Sequence, residues 1–151
     1  MCSFVPVNVL EIRPQPNAIA IVKRRDFAVK KCILLVEDDP LISETVAALL
    51  SALGYSICAT VDSGEEAVRA ASAIVPDVIL MDINLRGEMD GIEAAEIIRA
   101  AGNTPVIFMT ANSDNHTRRR ANSSRSSSFL SKPFHPDELS LMLESTFHGT
   151  S

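Results

Sequence analysis

Residues 31–40 read Lys-Cys-Ile-Leu-Leu-Val-Glu-Asp-Asp-Pro, an apolar run that ends abruptly in three acids and a proline. A short, bounded apolar run predicts a buried strand, most simply a strand of a parallel sheet. Three carboxylates at its end repel one another, and Mg²⁺, which prefers hard carboxylate oxygens, is the simplest compensation. The alternative is helix capping, with Asp39 as the N-cap and Pro40 at the first helical position. Both interpretations can hold if Glu37 and Asp38 serve the ion.

Length and composition place this chain among ordinary single-domain proteins. It has 151 residues and a formal net charge of -5, so it has room for a core, and its charge does not indicate nucleic acid as a partner. No apolar run is long enough to cross a bilayer, and the N-terminus lacks the pattern of a secretory signal. The three cysteines lack metal-ligand spacing. Cys32 and Cys58 lie in apolar, strand-like segments, so we expect buried thiols in a reducing cytoplasm.

Short apolar runs alternate with amphipathic segments five times along the chain. Strands are expected at residues 33–36, 55–61, 78–81, 105–109 and 129–130. An amphipathic helical pattern follows four of these runs, but residues 118–125, after the fourth, are rich in serine and arginine and have almost no apolar stripe. Alternating strands and helices predict a parallel sheet with right-handed crossovers and helices on both faces.

Residues 1–30 differ from the rest of the chain. They contain three prolines, which interrupt regular structure, and a basic stretch at residues 23–25. We interpret them as a weakly ordered N-terminal extension, or as the result of a start site assigned too far upstream. The domain itself is expected at residues 31–148, followed by a tail at residues 149–151.

Side chains that can bind a cation or a phosphoryl group follow the predicted strands. Glu37 and Asp38 follow the first strand, Asp82 the third, Thr110 the fourth and Lys132 the fifth. The carboxyl ends of parallel strands meet at one edge of a sheet, where open α/β folds bind their ligands. Each residue alone is weak evidence, because an acid after a strand is usually a helix cap, but the whole set predicts one site.

This constellation resembles the receiver domain of bacterial two-component response regulators, the chemotaxis-regulator-like family, over roughly residues 31–147. The matching motifs, in order, lie at residues 33–40, 80–82, 89–91, 109–111 and 132–134. The resemblance implies a flavodoxin-like (βα)5 fold, a doubly wound parallel sheet with strand order 2-1-3-4-5.

The resemblance also implies a phosphoacceptor and a metal site. By this resemblance, Asp82 takes a phosphoryl group from a phosphohistidine of a sensor histidine kinase or a histidine phosphotransfer protein. Mg²⁺ is implied as the cofactor, bound by Asp38, Asp82 and the backbone carbonyl of Asn84, while Glu37 acts mostly through water.

The remaining site residues are carried over in the same way. Lys132, followed by a cis peptide bond, and the Thr110 hydroxyl are implied to contact the phosphoryl oxygens. Backbone N–H groups of Asn84 and Ala111 complete the phosphoryl cradle. Thr110 and Phe129 are the implied switch pair, whose movement shifts the population between two packings.

Two segments depart from the family pattern. The loop at residues 85–91 is longer by one residue than the commonest form and lacks its usual proline. The segment before Phe129 reads Ser124-Arg125-Ser126, where the family has an alanine-glycine-alanine turn. Arg125 would therefore take a left-handed conformation if the family geometry were kept, and the output surface is hard to carry over.

The leading interpretation is a stand-alone receiver, since no output domain follows the fifth helix. It would signal by protein contact in the cytoplasm and catalyse only its own phosphoryl transfer and dephosphorylation. The alternative is a degenerate receiver that serves as a phosphorylation-independent interaction module. A flavodoxin-like enzyme or nucleotide binder is a third interpretation, but it would need a glycine-rich phosphate loop where residues 37–39 are acidic.

Overall fold

The computed structural model describes residues 30–111, 115–122 and 128–149. Five strands and five helices alternate along this part of the chain. Their bounds are β1 Cys32–Val36, α1 Pro40–Ala52, β2 Ser56–Val61, α2 Gly64–Ile74, β3 Val78–Asp82, α3 Gly91–Ala101, β4 Val106–Thr110, α4 Asn115–Asn122, β5 Ser128–Ser131 and α5 Pro136–Gly149.

The strands form one parallel sheet in the order β2-β1-β3-β4-β5, so the predicted fold class and strand order are confirmed. Side chains alternate between its two faces. One face packs with α1 and α5 around the buried residues Ile33, Leu35, Val46, Leu50, Leu80, Ile107, Met109, Leu139 and Leu143. The other packs with α2, α3 and α4 around Leu34, Val36, Ala67, Ile79, Met81, Ile92, Ala95, Phe108 and Ala121. Because helices cover both faces, β3 and β4 are buried throughout.

The first three helices begin at side-chain caps, and the cap of α1 is Asp39, as the sequence predicts. The Asp39 side chain accepts hydrogen bonds from the backbone N–H groups of Leu41 at 2.9 Å and Ile42 at 3.3 Å. At the start of α2, Ser63 Oγ accepts from the backbone N–H of Glu66, three positions on, at 3.2 Å. Asp90 and Glu93 form a complete capping box at the start of α3. These local contacts fix where the chain leaves the strand ends.

The expectation of two separate buried thiols is wrong. Cys32 and Cys58 are joined by a disulfide, and both residues are partly exposed. The two strands are adjacent, and a bulge in β2 places Cys58 between the residues that pair with Ile33 and Leu34. A register irregularity of this kind leaves no pattern in the sequence.

Several predictions fall outside the described residues or are not tested by them. Residues 1–29 of the N-terminal extension that is predicted at residues 1–30 lie outside the described residues, and so does the segment that contains Arg125. The proposed bounds at residues 31–148 stay a prediction. The Ser/Arg-rich stretch at residues 118–125 lacks the apolar stripe of a helix, but its described part, residues 118–122, belongs to the short helix α4. Within the described part of the chain, no helix is both long and apolar enough to cross a membrane.

Candidate functional site

Three carboxylates, Glu37, Asp38 and Asp82, form an acidic cluster at the carboxyl ends of β1 and β3. One oxygen from each lies within 4.8 Å of the other two. The sheet explains this proximity, because β1 and β3 are neighbours and their ends coincide. Two members are almost fully buried: the Glu37 side chain is 1% exposed and that of Asp82 is 5% exposed. The structure therefore brings together the three acids that the sequence predicts.

Lys132 provides the positive charge nearest to the two buried acids. Its Nζ lies 3.0 Å from Glu37 Oε1 and 3.5 Å from Asp82 Oδ1. It follows β5, its peptide bond to the next residue is cis, and its backbone N–H donates to the carbonyl of Thr110 at 2.8 Å. The lysine is thus held at the same edge as the acids, as the resemblance implies.

The ionisation of Asp82 is strongly perturbed. Burial, and after it the negative charge of Glu37, raise its pKa to about 7. Lys132 and a hydrogen bond from the backbone N–H of Asn84, at 3.2 Å, oppose this by favouring the carboxylate. Near neutral pH without a cation, the buried acids therefore carry more negative charge than one lysine neutralises.

Asp38 has a partner that the sequence analysis missed. Its Oδ2 accepts from the backbone N–H of Arg86 at 3.0 Å and from the side-chain Nε of the same residue at 3.2 Å. Arg86 lies in the loop after β3, and its side chain is 80% exposed. The missing proline in this loop is the signal that marks it as unusual, but nothing local predicts a contact between residues 48 positions apart.

Gly91 is a second residue whose role was missed. A Cβ at this position would overlap the backbone carbonyl oxygen of Asp82, and it would lie 2.9 Å from Cα of Ile83. The first turn of α3 therefore lies directly against the backbone that carries Asp82. Only glycine permits this approach, which fixes the loop between β3 and α3.

Three further predicted residues lie at the same edge or beside it. Thr110 is buried at the end of β4 and directly follows Met109, the residue paired with Asp82. Ala111 follows it and is exposed. Phe129 in β5 is half-buried, and its ring lies 5.7 Å from that of Phe108 in a stacked arrangement. The structure thus places the predicted switch pair on adjacent strands.

The donor set suits a hard divalent cation. Carboxylate oxygens at this spacing match the ligands that Mg²⁺ prefers, and two buried acids with one lysine leave negative charge to be neutralised. A cavity of about 310 Å³ opens beside the cluster, lined by Glu37, Asp38, Pro40, Ser43, Thr60, Val61, Asp62 and Glu66. The arrangement can hold a cation against the clustered carboxylates at this edge of the sheet.

Comparison with known proteins agrees with this geometry. Residues 33–144 match the family model for the response regulator receiver domain. The cell cycle transcriptional regulator CtrA of Caulobacter vibrioides is 33% identical over 108 residues, which are 71% of this chain and 46% of that protein. The chain spans about half the length of the curated relatives it matches.

Solved structures of receiver domains are similar in both sequence and fold. The signal receiver domain of a modulated diguanylate cyclase from Desulfovibrio desulfuricans has a TM-score of 0.75 and 38% identity, covering 80% of this chain and 96% of that one. The receiver domain of a sensor histidine kinase from Pseudomonas aeruginosa PAO1, with a magnesium ion coordinated in its active-site cleft, has a TM-score of 0.71 and 35% identity, covering 80% and 99%. The chain therefore belongs to the family of response regulator receiver domains of two-component systems.

Proposed function

We propose that Asp82 is the phosphoacceptor of this receiver domain. An Asp82 carboxylate oxygen attacks the phosphorus of a phosphohistidine, the phosphorus–nitrogen bond breaks, and the imidazole leaves with the electron pair. The donor is a sensor histidine kinase or a histidine phosphotransfer protein. The observation that carries this proposal is the position of Asp82, buried at the end of β3, with Lys132 Nζ 3.5 Å from its Oδ1 and an oxygen of each of the other two acids within 4.8 Å.

The other members of the acidic cluster are proposed to hold Mg²⁺. Asp38, Asp82 and the backbone carbonyl of Asn84 would bind it directly, and Glu37 would act mostly through water. Bound Mg²⁺ supplies the positive charge that neutralises the carboxylates and the transferring group. The spacing of the three carboxylates supports this assignment.

Four polar groups at the edge are proposed to position the phosphoryl oxygens. Lys132 is close enough to Asp82 to move from Glu37 to a phosphoryl oxygen. The backbone N–H of Asn84 already donates to the Asp82 carboxylate. The backbone N–H of Ala111 and the Thr110 hydroxyl would donate to the phosphoryl oxygens from the neighbouring strand. Phosphoryl transfer depends mainly on such positioning and charge neutralisation.

The output is proposed to be a change in protein contacts. Phosphorylation would draw Thr110 toward the phosphoryl group and let Phe129 turn inward, which shifts the population between two packings. The partner downstream is a protein, the compartment is the cytoplasm, and the chain catalyses only its own phosphoryl transfer and dephosphorylation. That the receiver acts alone stays a prediction.

Mass spectrometry after incubation with acetyl phosphate and Mg²⁺ tests the proposal. Wild type should gain one phosphoryl group, and Asp82→Asn should gain none. Asp137→Asn, which changes an exposed acid in the first turn of α5, is the matched control and should be labelled like wild type. Labelling of Asp82→Asn at the wild-type rate would contradict the assignment.

The second candidate function is a degenerate receiver that binds its partner without phosphorylation. The polar character of α4, on the side of the domain where the output is expected, favours it. In that case wild type would remain unlabelled with acetyl phosphate and with every phosphohistidine donor, although it still bound Mg²⁺.

A further inference from the structure

We propose that Cys32 and Cys58 form a reversible thiol–disulfide site at the end of the sheet opposite the acidic cluster. Cys32 is the first residue of β1, and Cys58 lies in β2, the edge strand. Their Cα atoms are 5.5 Å apart. Disulfides most often join Cα atoms about 5.5–6 Å apart, so the bond needs no movement of the backbone.

The pairing depends on the bulge in β2. Cys32 pairs with Ser56 in the ladder, and Ile33 pairs with Ile57, so a regular ladder would place Cys58 opposite Leu34. Instead Leu34 pairs with the residue after Cys58, which leaves Cys58 as the extra residue. A bulge changes the position of the extra residue relative to the neighbouring strand. Here the Cα of Cys58 lies 5.5 Å from that of Cys32, and the two sulfurs are bonded.

The same backbone accommodates the reduced state. Cys58 Sγ lies 3.3 Å from the carbonyl oxygen of Ile33, which can accept a hydrogen bond from the thiol once the disulfide is broken. The backbone of Cys32 is held independently of its sulfur, because its N–H donates to Asp77 Oδ2 at 2.6 Å and its carbonyl accepts from the Asp77 N–H at 2.8 Å. The start of β1 therefore keeps its hydrogen bonds to Asp77 in both redox states.

The reaction is exchange with a small-molecule disulfide of the glutathione class. One cysteine thiolate attacks that disulfide and releases one small thiol, and the second cysteine then displaces the other small thiol from the mixed disulfide. Two electrons and two protons pass from the protein to the oxidant. Both cysteines are partly exposed, so a small disulfide can reach them. In the cytoplasm, the compartment proposed above, protein disulfides are usually transient or redox-sensing.

The bond would stabilise the part of the fold that carries the acids. It links residues 26 positions apart, and the enclosed loop contains α1, Glu37 and Asp38. It also ties β2 covalently to β1, and the Val61 carbonyl of β2 accepts from the Glu37 N–H at 3.0 Å. The redox state of the surroundings would therefore set the thermal stability of the receiver.

Alkylation and tryptic mapping of the full chain test the site directly. The sequence has no lysine or arginine between Cys32 and Arg69, so both cysteines fall on the peptide 32–69, whereas Cys2 falls on another. After equilibration with oxidised glutathione, this peptide should be two hydrogen atoms lighter and carry no alkyl group. With reduced glutathione it should carry two, and the change should reverse. The oxidised protein should melt about 5–15 °C higher, from the loop-closure and size scaling of disulfide and melting data.

Two variants control the experiment. Cys2→Ser should behave like wild type, and the melting temperature of Cys58→Ser should not depend on the glutathione ratio. Two alkyl groups on the peptide 32–69 at every ratio would overturn the proposal, and so would a glutathione adduct without an internal bond. A bond that persists in excess reduced glutathione would overturn its reversibility. No phosphoryl donor is present, so the outcome is independent of the role of Asp82.

Discussion

Helices α3 and α4 pack on the same face of the sheet, but different forces hold them. In α3, five of the eleven residues are buried, and a complete capping box fixes its first turn. The helix α4 has eight residues, three of which are consecutive arginines, and Ala121 is the buried one among its described side chains. Burial and capping anchor α3, whereas α4 has little apolar surface to bury.

Polar contacts take the place of burial in α4. The Arg118 guanidinium lies 5.5 Å from the centre of the Phe129 ring, and Arg120 is 3.0 Å from Asp90, the N-cap of α3. Such partly exposed contacts contribute about 1 kcal/mol or less each. The comparison indicates that the acidic cluster lies beside a well-anchored helix, α3, and we call the cluster and α3 the rigid side. Helix α4, beside Phe129, can shift between conformations at a small cost in free energy, and we call it the adjustable side.

The largest expected effect tests the rigid side. Gly91→Ala should lower the free energy of unfolding by about 3 kcal/mol, because its Cβ would overlap backbone atoms rather than a movable side chain. Gly102→Ala is the matched control, since nothing lies within 4 Å of a Cβ there and its backbone is extended. Urea unfolding of both variants measures the difference. Equal effects would mean that the start of α3 is not tightly packed against Asp82.

The raised pKa of Asp82 should make the free energy of unfolding depend on pH. The folded pKa of Asp82, about 7, lies above its unfolded value, so the protonated carboxyl stabilises the fold at pH 5, and this is lost as the pH rises through 7. Between pH 5 and 8 in EDTA, the free energy of unfolding of Asp82→Asn should rise by about 2–3 kcal/mol relative to that of wild type, at about 1.4 kcal/mol per pKa unit. If the free energies of unfolding of the two proteins changed equally with pH across this range, burial would not raise the pKa of Asp82.

The rigid side is also the part that the sequence predicts well. An apolar run that ends in an acid marks both a strand and its end, so the positions of Glu37, Asp38 and Asp82 follow once the sheet is parallel. The caps at Asp39 and Asp90 are equally predictable, because each involves residues only two or three positions apart.

The rest could not be predicted because it depends on contacts between distant residues. The bond from Arg86 to Asp38 and the close approach of Gly91 arise only when loops fold over strand ends. The bulge at Cys58 is a register shift, which no hydrophobic pattern encodes. The helix α4 lacks an apolar period, so its existence depends on partners such as Phe129 and Asp90 that lie on other elements.

A smaller effect tests the adjustable side. Arg120→Gln removes the ion pair with Asp90, so amide hydrogen exchange in α4 should accelerate about 3- to 5-fold, as expected for a loss of up to 1 kcal/mol. Exchange in α3 and the global midpoint in urea should hardly change. Arg119→Gln removes the same charge from an exposed neighbour and is the control. If α3 exchanged faster together with α4, the two helices would form one cooperative unit and the comparison would fail.

The smallest expected effect concerns Arg86, the exposed residue that forms an ion pair with Asp38. The Arg86 side chain is 80% exposed and lies 3.2 Å from Asp38, so it competes weakly with a cation for the same oxygen. Arg86→Gln keeps the backbone N–H and should tighten Mg²⁺ binding about 3-fold at low salt, with less effect at high salt because exposed charges are screened. Calorimetric titration with Mg²⁺ measures this.

The control for Arg86 is Arg69→Gln, which removes an equal charge from an exposed position on α2. If both variants tighten binding equally, the effect is one of net charge, and Arg86 has no specific competition with the cation. If Arg86→Gln weakens binding, the side chain holds Asp38 in position, and the loop after β3 supports the metal site. If only Arg86→Gln tightened Mg²⁺ binding, the loop after β3 would be adjustable in the same way as α4, although its Arg86 contacts Asp38 on the rigid side.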